Sequence, residues 1–236
     1  AVLMAGWLHT NSPIASKRVL ELLQELETKW KEQQESGREF PDEYNCRPSE
    51  KTYVTAIAAV GSSYDENKAK VALQMLRDLK ERAKEGDDAI TPSMASYNIV
   101  MDVCAKCGTS KSIKVQMEAL KIGFAVYKAA KLDPNAKLEP TTFVRILRCV
   151  IYLMNRGDES DKLAATLFGE AKKAGMVTFD VCKSLGKATT RMARDKILKD
   201  TVNEEGRVDY SNLPIDWKRN VGPERKRSRK YSNGVP

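Results

Sequence analysis

Apolar residues recur along this chain at intervals of three and four, the spacing that gathers them on one face of an α-helix. One set reads Tyr53, Ile57, Val60; Tyr97, Val100, Cys104, Cys107; and Phe143, Leu147, Val150, Met154. A second set reads Val19, Leu22, Leu26, Trp30; Ala72, Leu76, Leu79, Ala83; Val115, Ala119, Ile122, Val126; and Leu163, Leu167, Phe168, Ala171. Polar or Gly/Pro punctuation such as "GSSYDEN", "KEGDDAITPS" and "NRGDESD" separates them, and no alternating strand pattern occurs. The two sets alternate along the chain, which predicts helical hairpins.

The hairpins repeat. "RPSEKTYVTAIAAV" (47–60) and "TPSMASYNIVMDVC" (91–104) superimpose without a gap, so that Pro48, Ser49 and Tyr53 match Pro92, Ser93 and Tyr97. "EPTTFVRILRCVIYL" (139–153) places Phe143 at the aromatic position, and "GMVTFDVCKSL" (175–185) places Phe179 there. The aromatics then fall 44, 46 and 36 residues apart, which are the periods of a repeat protein. The expected fold is an all-α solenoid in which each hairpin buries its apolar face against its neighbours.

Cys104 and Cys107 have the spacing of a zinc or redox motif, but they share a helix face with Tyr97 and Val100, and Cys149 takes a comparable place in the next unit. A tetrahedral zinc site needs two further ligands, and the chain offers one histidine, His9, and no second paired-cysteine motif. Core packing is the expected role, with no metal or cofactor. Five cysteines with unpaired spacings, and no Asn-x-Ser/Thr acceptor, point to a reducing compartment. The longest apolar run, Cys149 to Met154, has six residues, far short of a membrane span, so no membrane insertion is expected. The start, "AVLMAGWLH", reads as a cut inside a longer protein.

The Pro, Ser-Tyr-Asn, aliphatic run and Cys-Ala-Lys-Cys-Gly of "TPSMASYNIVMDVCAKCG" resemble the first helix of a pentatricopeptide repeat. "IASKRVLELLQELETKWKEQ" (14–34) and "KAKVALQMLRDLKERAKEG" (68–86) are similar to its second helix; the early Trp and paired Gly/Tyr of tetratricopeptide repeats are absent. The resemblance covers residues 1–190, as a truncated repeat (1–49), three more (50–93, 94–141, 142–176) and a partial fifth (177–190). It implies a right-handed superhelix. The linking segments "ESGREFPDEYNC" and "KLDPNAKLEP" exceed the family's unit of roughly 35 residues, so outer helices or loops should be extended. "DYSNLPIDWKRNV" (209–221) resembles a segment at the ends of some algal members. It is expected to form, within 191–222, a capping helix and strap in which Leu213 and Trp217 cover the last helix.

Family members bind single-stranded RNA on the face lined by first helices, one base per repeat, through the residue after the aromatic and the last residue of the repeat. Carried over, these are Val54 with Ser93 and Asn98 with Thr141, with Val144 and Asp180 at the first position later on. Asn98 is of a type the family uses for reading, favouring pyrimidines, whereas valine cannot hydrogen-bond a base edge.

Net charge is +8, of which the stretch 217–236 carries +6. The tail "PERKRSRKYSNGVP" (223–236) has no apolar period; it predicts disorder and added phosphate affinity, and a nuclear address would read the same. Within the body, Arg145, Arg148 and Arg156 fall on one first helix without an acid, and Lys183 and Lys187 fall on the next beside Asp180. These are the expected phosphate contacts. No deaminase signature, phosphate-cradling glycine loop or nucleophile partner for His9 occurs, so no catalysis is expected. The resemblance implies an RNA-binding adaptor of mitochondrion or plastid. The alternative is a non-catalytic scaffold subunit of a ribonucleoprotein such as an organellar ribosome, using protein partners as well.

Overall fold

In a computed structural model of the chain, the residues described are 2–8, 14–37, 46–85, 90–201 and 213–221. The basic tail 223–236, His9 and most of "ESGREFPDEYNC" lie outside them. The described residues contain helices and no strand, so the chain is all-α. The helices are α1 (Val2–Leu8), α2 (Ala15–Glu35), α3 (Glu50–Gly61), α4 (Lys68–Lys84), α5 (Met94–Lys106), α6 (Ile113–Leu132), α7 (Pro140–Leu153), α8 (Asp158–Lys173), α9 (Phe179–Ala188), α10 (Arg191–Ile197) and α11 (Ile215–Lys218). Short 3-10 turns lie at Cys107–Thr109 and Lys199–Thr201.

Each odd-numbered helix from α3 to α9 starts at a polar residue that satisfies the orphan N–H groups of its first turn. The backbone N–H of Ser49 donates to Thr52 Oγ1 at 3.2 Å, and the side chains of Ser93 and Thr178 accept from Ala95 and Val181. Glu139 precedes Pro140, whose fixed φ and missing N–H suit the first helical position. With the starts set in this way, the fourth residue of three of these helices is a buried aromatic, Tyr53, Tyr97 or Phe143.

The fourth of these helices departs from the sequence alignment. Because Thr178 caps α9, Phe179 is its first residue rather than its fourth, and its side chain is 46% exposed. Cys182 takes the buried aromatic's place, and the buried stripe runs Val181, Cys182, Leu185, Ala188.

α3, α5, α7 and α9 pack each against the next, while α4 lies against α3 and α5, α6 against α5 and α7, and α8 against α7 and α9. One connected core of buried residues runs from Met4 and Val19 to Leu198 and Leu213. Two of the even-numbered helices are long, α2 with 21 residues and α6 with 20. In "KLDPNAKLEP" the chain turns at Asp133, whose carboxylate accepts from the Asn135 N–H at 3.0 Å.

Tyrosine hydroxyls tie neighbouring helices together. Tyr53 donates to Glu27 of α2 and accepts from Arg82 of α4. Tyr97 donates to Asp133 and accepts from Lys80 at 2.8 Å, and Tyr127 donates to Glu170 of α8 at 2.7 Å. Burial and the adjacent carboxylate raise all three phenols above their ordinary value, so they stay protonated and can donate.

The segment around α11 lies against α8. The Trp217 ring meets Phe168 edge-on at 5.8 Å, the Lys172 ammonium stands 4.7 Å from the Trp217 centroid, and Leu213 is buried. The reason is hydrogen bonding. The exposed carbonyls beyond the end of α8 need donors, and Asn220 supplies them, its N–H to Gly175 O at 2.9 Å and its Nδ2 to Ala174 O at 2.8 Å. In return the Val177 N–H donates to Trp217 O at 2.8 Å. Gly175 has φ +66°, and a Cβ there would run into the Arg219 side chain, so both the turn and this contact require glycine.

Candidate nucleic-acid interface

The nine sequence-predicted site residues fall into two neighbouring depressions. Val54, Ser93, Asn98, Thr141 and Arg145 line one of about 430 Å³ among α3, α5 and α7. Arg148, Asp180, Lys183 and Lys187 line a second of about 220 Å³ between α7 and α9. Helix register explains the grouping. Val54, Asn98, Val144 and Lys183 are each the fifth residue of their helix, one past the core aromatic or its substitute.

That register revises two assignments. Asp180 is the second residue of α9, and Lys183 stands where Val54 and Asn98 stand. Ser93, Glu139 and Thr178 are equivalent N-caps, so Glu139 rather than Thr141 is the counterpart of Ser93. Thr141 is the second residue of α7, and its hydroxyl donates to Glu139 at 3.1 Å.

Asn98 is the distinctive polar group of the first depression. The residue is 5% exposed, and its Oδ1 is buried without a hydrogen-bond partner. An unmet buried acceptor costs about 1–3 kcal/mol. Ser93 beside it has local work: its hydroxyl caps α5, and its N–H donates to Glu50 Oε1 at 2.7 Å.

The arginines do not stand free. Asp102, one turn beyond Asn98 on α5, holds both: Arg148 donates to its Oδ1 at 3.1 Å, and Arg145 Nε lies 3.0 Å from its Oδ2. Counting acids within the α7 segment alone missed this pairing, because the partner comes from the preceding first helix. A four-residue step from Asn98 to Asp102 and on to Lys106 was the available signal. Burial, with Lys68 and Arg148 nearby, pulls the Lys106 ammonium below its ordinary value, and Asp102 offsets part of this. In the second depression Lys183 stands over the Phe179 ring at 5.9 Å, and Arg156 Nε donates to Lys187 O at 3.1 Å. Tyr152, which the sequence reading passed over, lines it too.

Cys104, Cys107 and Cys149 are buried between helices. Cys149 donates to Met101 O at 3.4 Å and Cys107 to Val103 O at 3.6 Å. Burial raises all three thiols, Cys149 to about 12, which is the opposite of activation for redox or metal chemistry. Among the described residues, no group of three or more His, Cys, Asp or Glu side chains is placed to hold a metal ion, and no helix is long and apolar enough to cross a membrane.

No family model matches the chain, no curated protein matches its sequence, and no solved structure matches its fold.

Proposed function

We propose that this chain is a non-catalytic RNA-binding adaptor of the pentatricopeptide type, a right-handed α-solenoid whose odd-numbered helices α3 to α9 line the face that receives a single strand. The observation that carries this reading is Asn98, a residue that lines the depression beside Ser93 and Arg145 and whose amide oxygen is buried without a partner. Such an acceptor is completed by an N–H donor, which every base edge carries; the pyrimidine preference comes with the resemblance. The lysines of α9 supply phosphate attraction along the same face. The mitochondrial or plastid setting comes with the resemblance.

A second reading, a scaffold subunit of a ribonucleoprotein, is favoured by Val54 and Val144, which occupy the positions equivalent to Asn98 and cannot hydrogen-bond a base. Selection of bound strands from a randomised single-stranded RNA pool decides between the two. The adaptor reading expects Asn98→Ala to cost about 1 kcal/mol and to erase pyrimidine preference at one position. Reversing Lys183 and Lys187 to Glu should weaken all strands alike. If the parent retains no RNA from the pool, the adaptor reading falls and the scaffold reading takes its place.

A further inference from the structure

Tyr152 is the next-to-last residue of α7 and is 51% exposed, although its neighbours Val150 and Leu153 are buried. It lines the depression between α7 and α9 together with Lys183 and Lys187. The Arg148 guanidinium carbon stands 5.9 Å from the ring centroid, a separation at which a cation is attracted to an aromatic face.

The backbone beneath the ring is held by close packing. A Cβ on Gly108 would collide with the Tyr152 carbonyl oxygen and come within 2.8 Å of the Tyr152 Cβ. Glycine at 108 therefore lets the Cys107–Thr109 turn press directly on the end of α7. On the other side, the hydrogen bond from Arg156 to Lys187 O ties the segment after α7 to the end of α9. The Cys-Ala-Lys-Cys-Gly stretch thus has a role that zinc chemistry did not supply: its cysteines fill the core and its glycine sets the position of Tyr152.

A half-exposed aromatic on a fixed backbone, flanked by cations in a groove, is the arrangement that stacks a nucleobase while the phosphate meets the cations. A stacking ring takes any base, so it adds affinity without reading sequence, and it answers the weakness of Val144 as a reader on the same helix. We propose that Tyr152 is a base-stacking platform for single-stranded RNA, with Lys183 and Lys187 holding the adjacent phosphate. This rests on the RNA-binding reading and adds to it a contact outside the base-reading positions.

The test compares the full chain with Tyr152→Ala and Tyr152→Phe, each titrated with a short single-stranded RNA of mixed sequence and with the same strand carrying abasic sites. Stacking is worth enough that Tyr152→Ala should weaken the base-bearing strand roughly fivefold to a hundredfold, while Tyr152→Phe stays within about twofold. All three proteins should bind the abasic strand equally. If Tyr152→Ala binds the base-bearing strand as the parent does, or loses the abasic strand to the same degree, the ring does not stack a base. If the parent binds neither strand, the RNA reading falls with the platform, and the groove's partner is a protein.

Discussion

The Arg148 guanidinium donates to the Asp102 carboxylate at 3.1 Å, a partner 46 residues earlier in the chain. Arg145 shares that carboxylate, so one acid on α5 engages both arginines that α7 presents to the face. A phosphate arriving there competes with Asp102.

Replacing Asp102 with Asn should therefore strengthen binding to single strands of any sequence. Releasing one or two guanidinium groups steepens the salt dependence by about 0.7 per phosphate engaged. The loss of stability should be about 1–3 kcal/mol, since Asp102 is largely buried and the Arg145 Nε facing it is buried too. Filter binding across a salt series measures the slope, and an unchanged slope would mean that the arginines serve Asp102 alone.

Glu50, the first residue of α3, reaches to the start of α5, where it accepts from the Ser93 N–H at 2.7 Å and the Ser96 hydroxyl at 2.6 Å. Glu50→Ala leaves two donors unmet and should cost about 1–3 kcal/mol in urea unfolding. Glu50→Gln keeps an acceptor and should cost less. Equal losses would show that helix-end charge, not the two hydrogen bonds, is what counts.

Acid should loosen two joints between helices, one at Asp133 and one between α6 and α8. Burial pushes Asp133 and Glu170 up, but Tyr97, the Asn135 N–H and Lys80 hold Asp133 below its ordinary value, and Lys131 and Tyr127 do the same for Glu170. A carboxylate depressed in the folded state contributes stability that is complete above the unfolded value of about 4 and is lost as pH falls through the lower folded value. Urea midpoints measured downward from about pH 5 should fall for the parent and fall less steeply for Asp133→Asn with Glu170→Gln. Parallel slopes would contradict the assignment.

Cys104, Cys107 and Cys149 should resist alkylation in the folded chain at about pH 8, where an ordinary thiol is partly ionised. Burial keeps them protonated and out of reach. Mass spectrometry after iodoacetamide treatment, with and without denaturant, reads the difference, and prompt labelling of the folded protein at any of the three would contradict the packing described.

Where the sequence was a good guide, the relevant contacts were local. Ser49 and Ser93 are followed four residues later by Tyr53 and Tyr97, and cap and core aromatic together define a helix start that any such hairpin must satisfy. Phe179 misled because an aromatic in the first turn carries no mark of whether it is residue one or residue four; the Thr178 cap decides it, and Cys182 is an inconspicuous core residue. The hold of Asp102 on Arg145 and Arg148 was not readable from either helix alone, since it depends on how α5 and α7 align. Leu213 and Trp217 stand out in the sequence as apolar positions, but the seat of their segment on α8 depends on carbonyls that no side-chain pattern records.

That seat closes a ring in the chain. Ala174 and Asn220 are joined across 46 residues, and α9 and α10 lie inside the loop so formed. A closed loop of this size costs entropy that grows only slowly with its length. Within that loop α9 stays packed on α7 with Val181, Cys182, Leu185 and Ala188 buried, so the place of Lys183 and Lys187 beside Tyr152 is fixed from one side by the core and from the other by the latch at the end of α8.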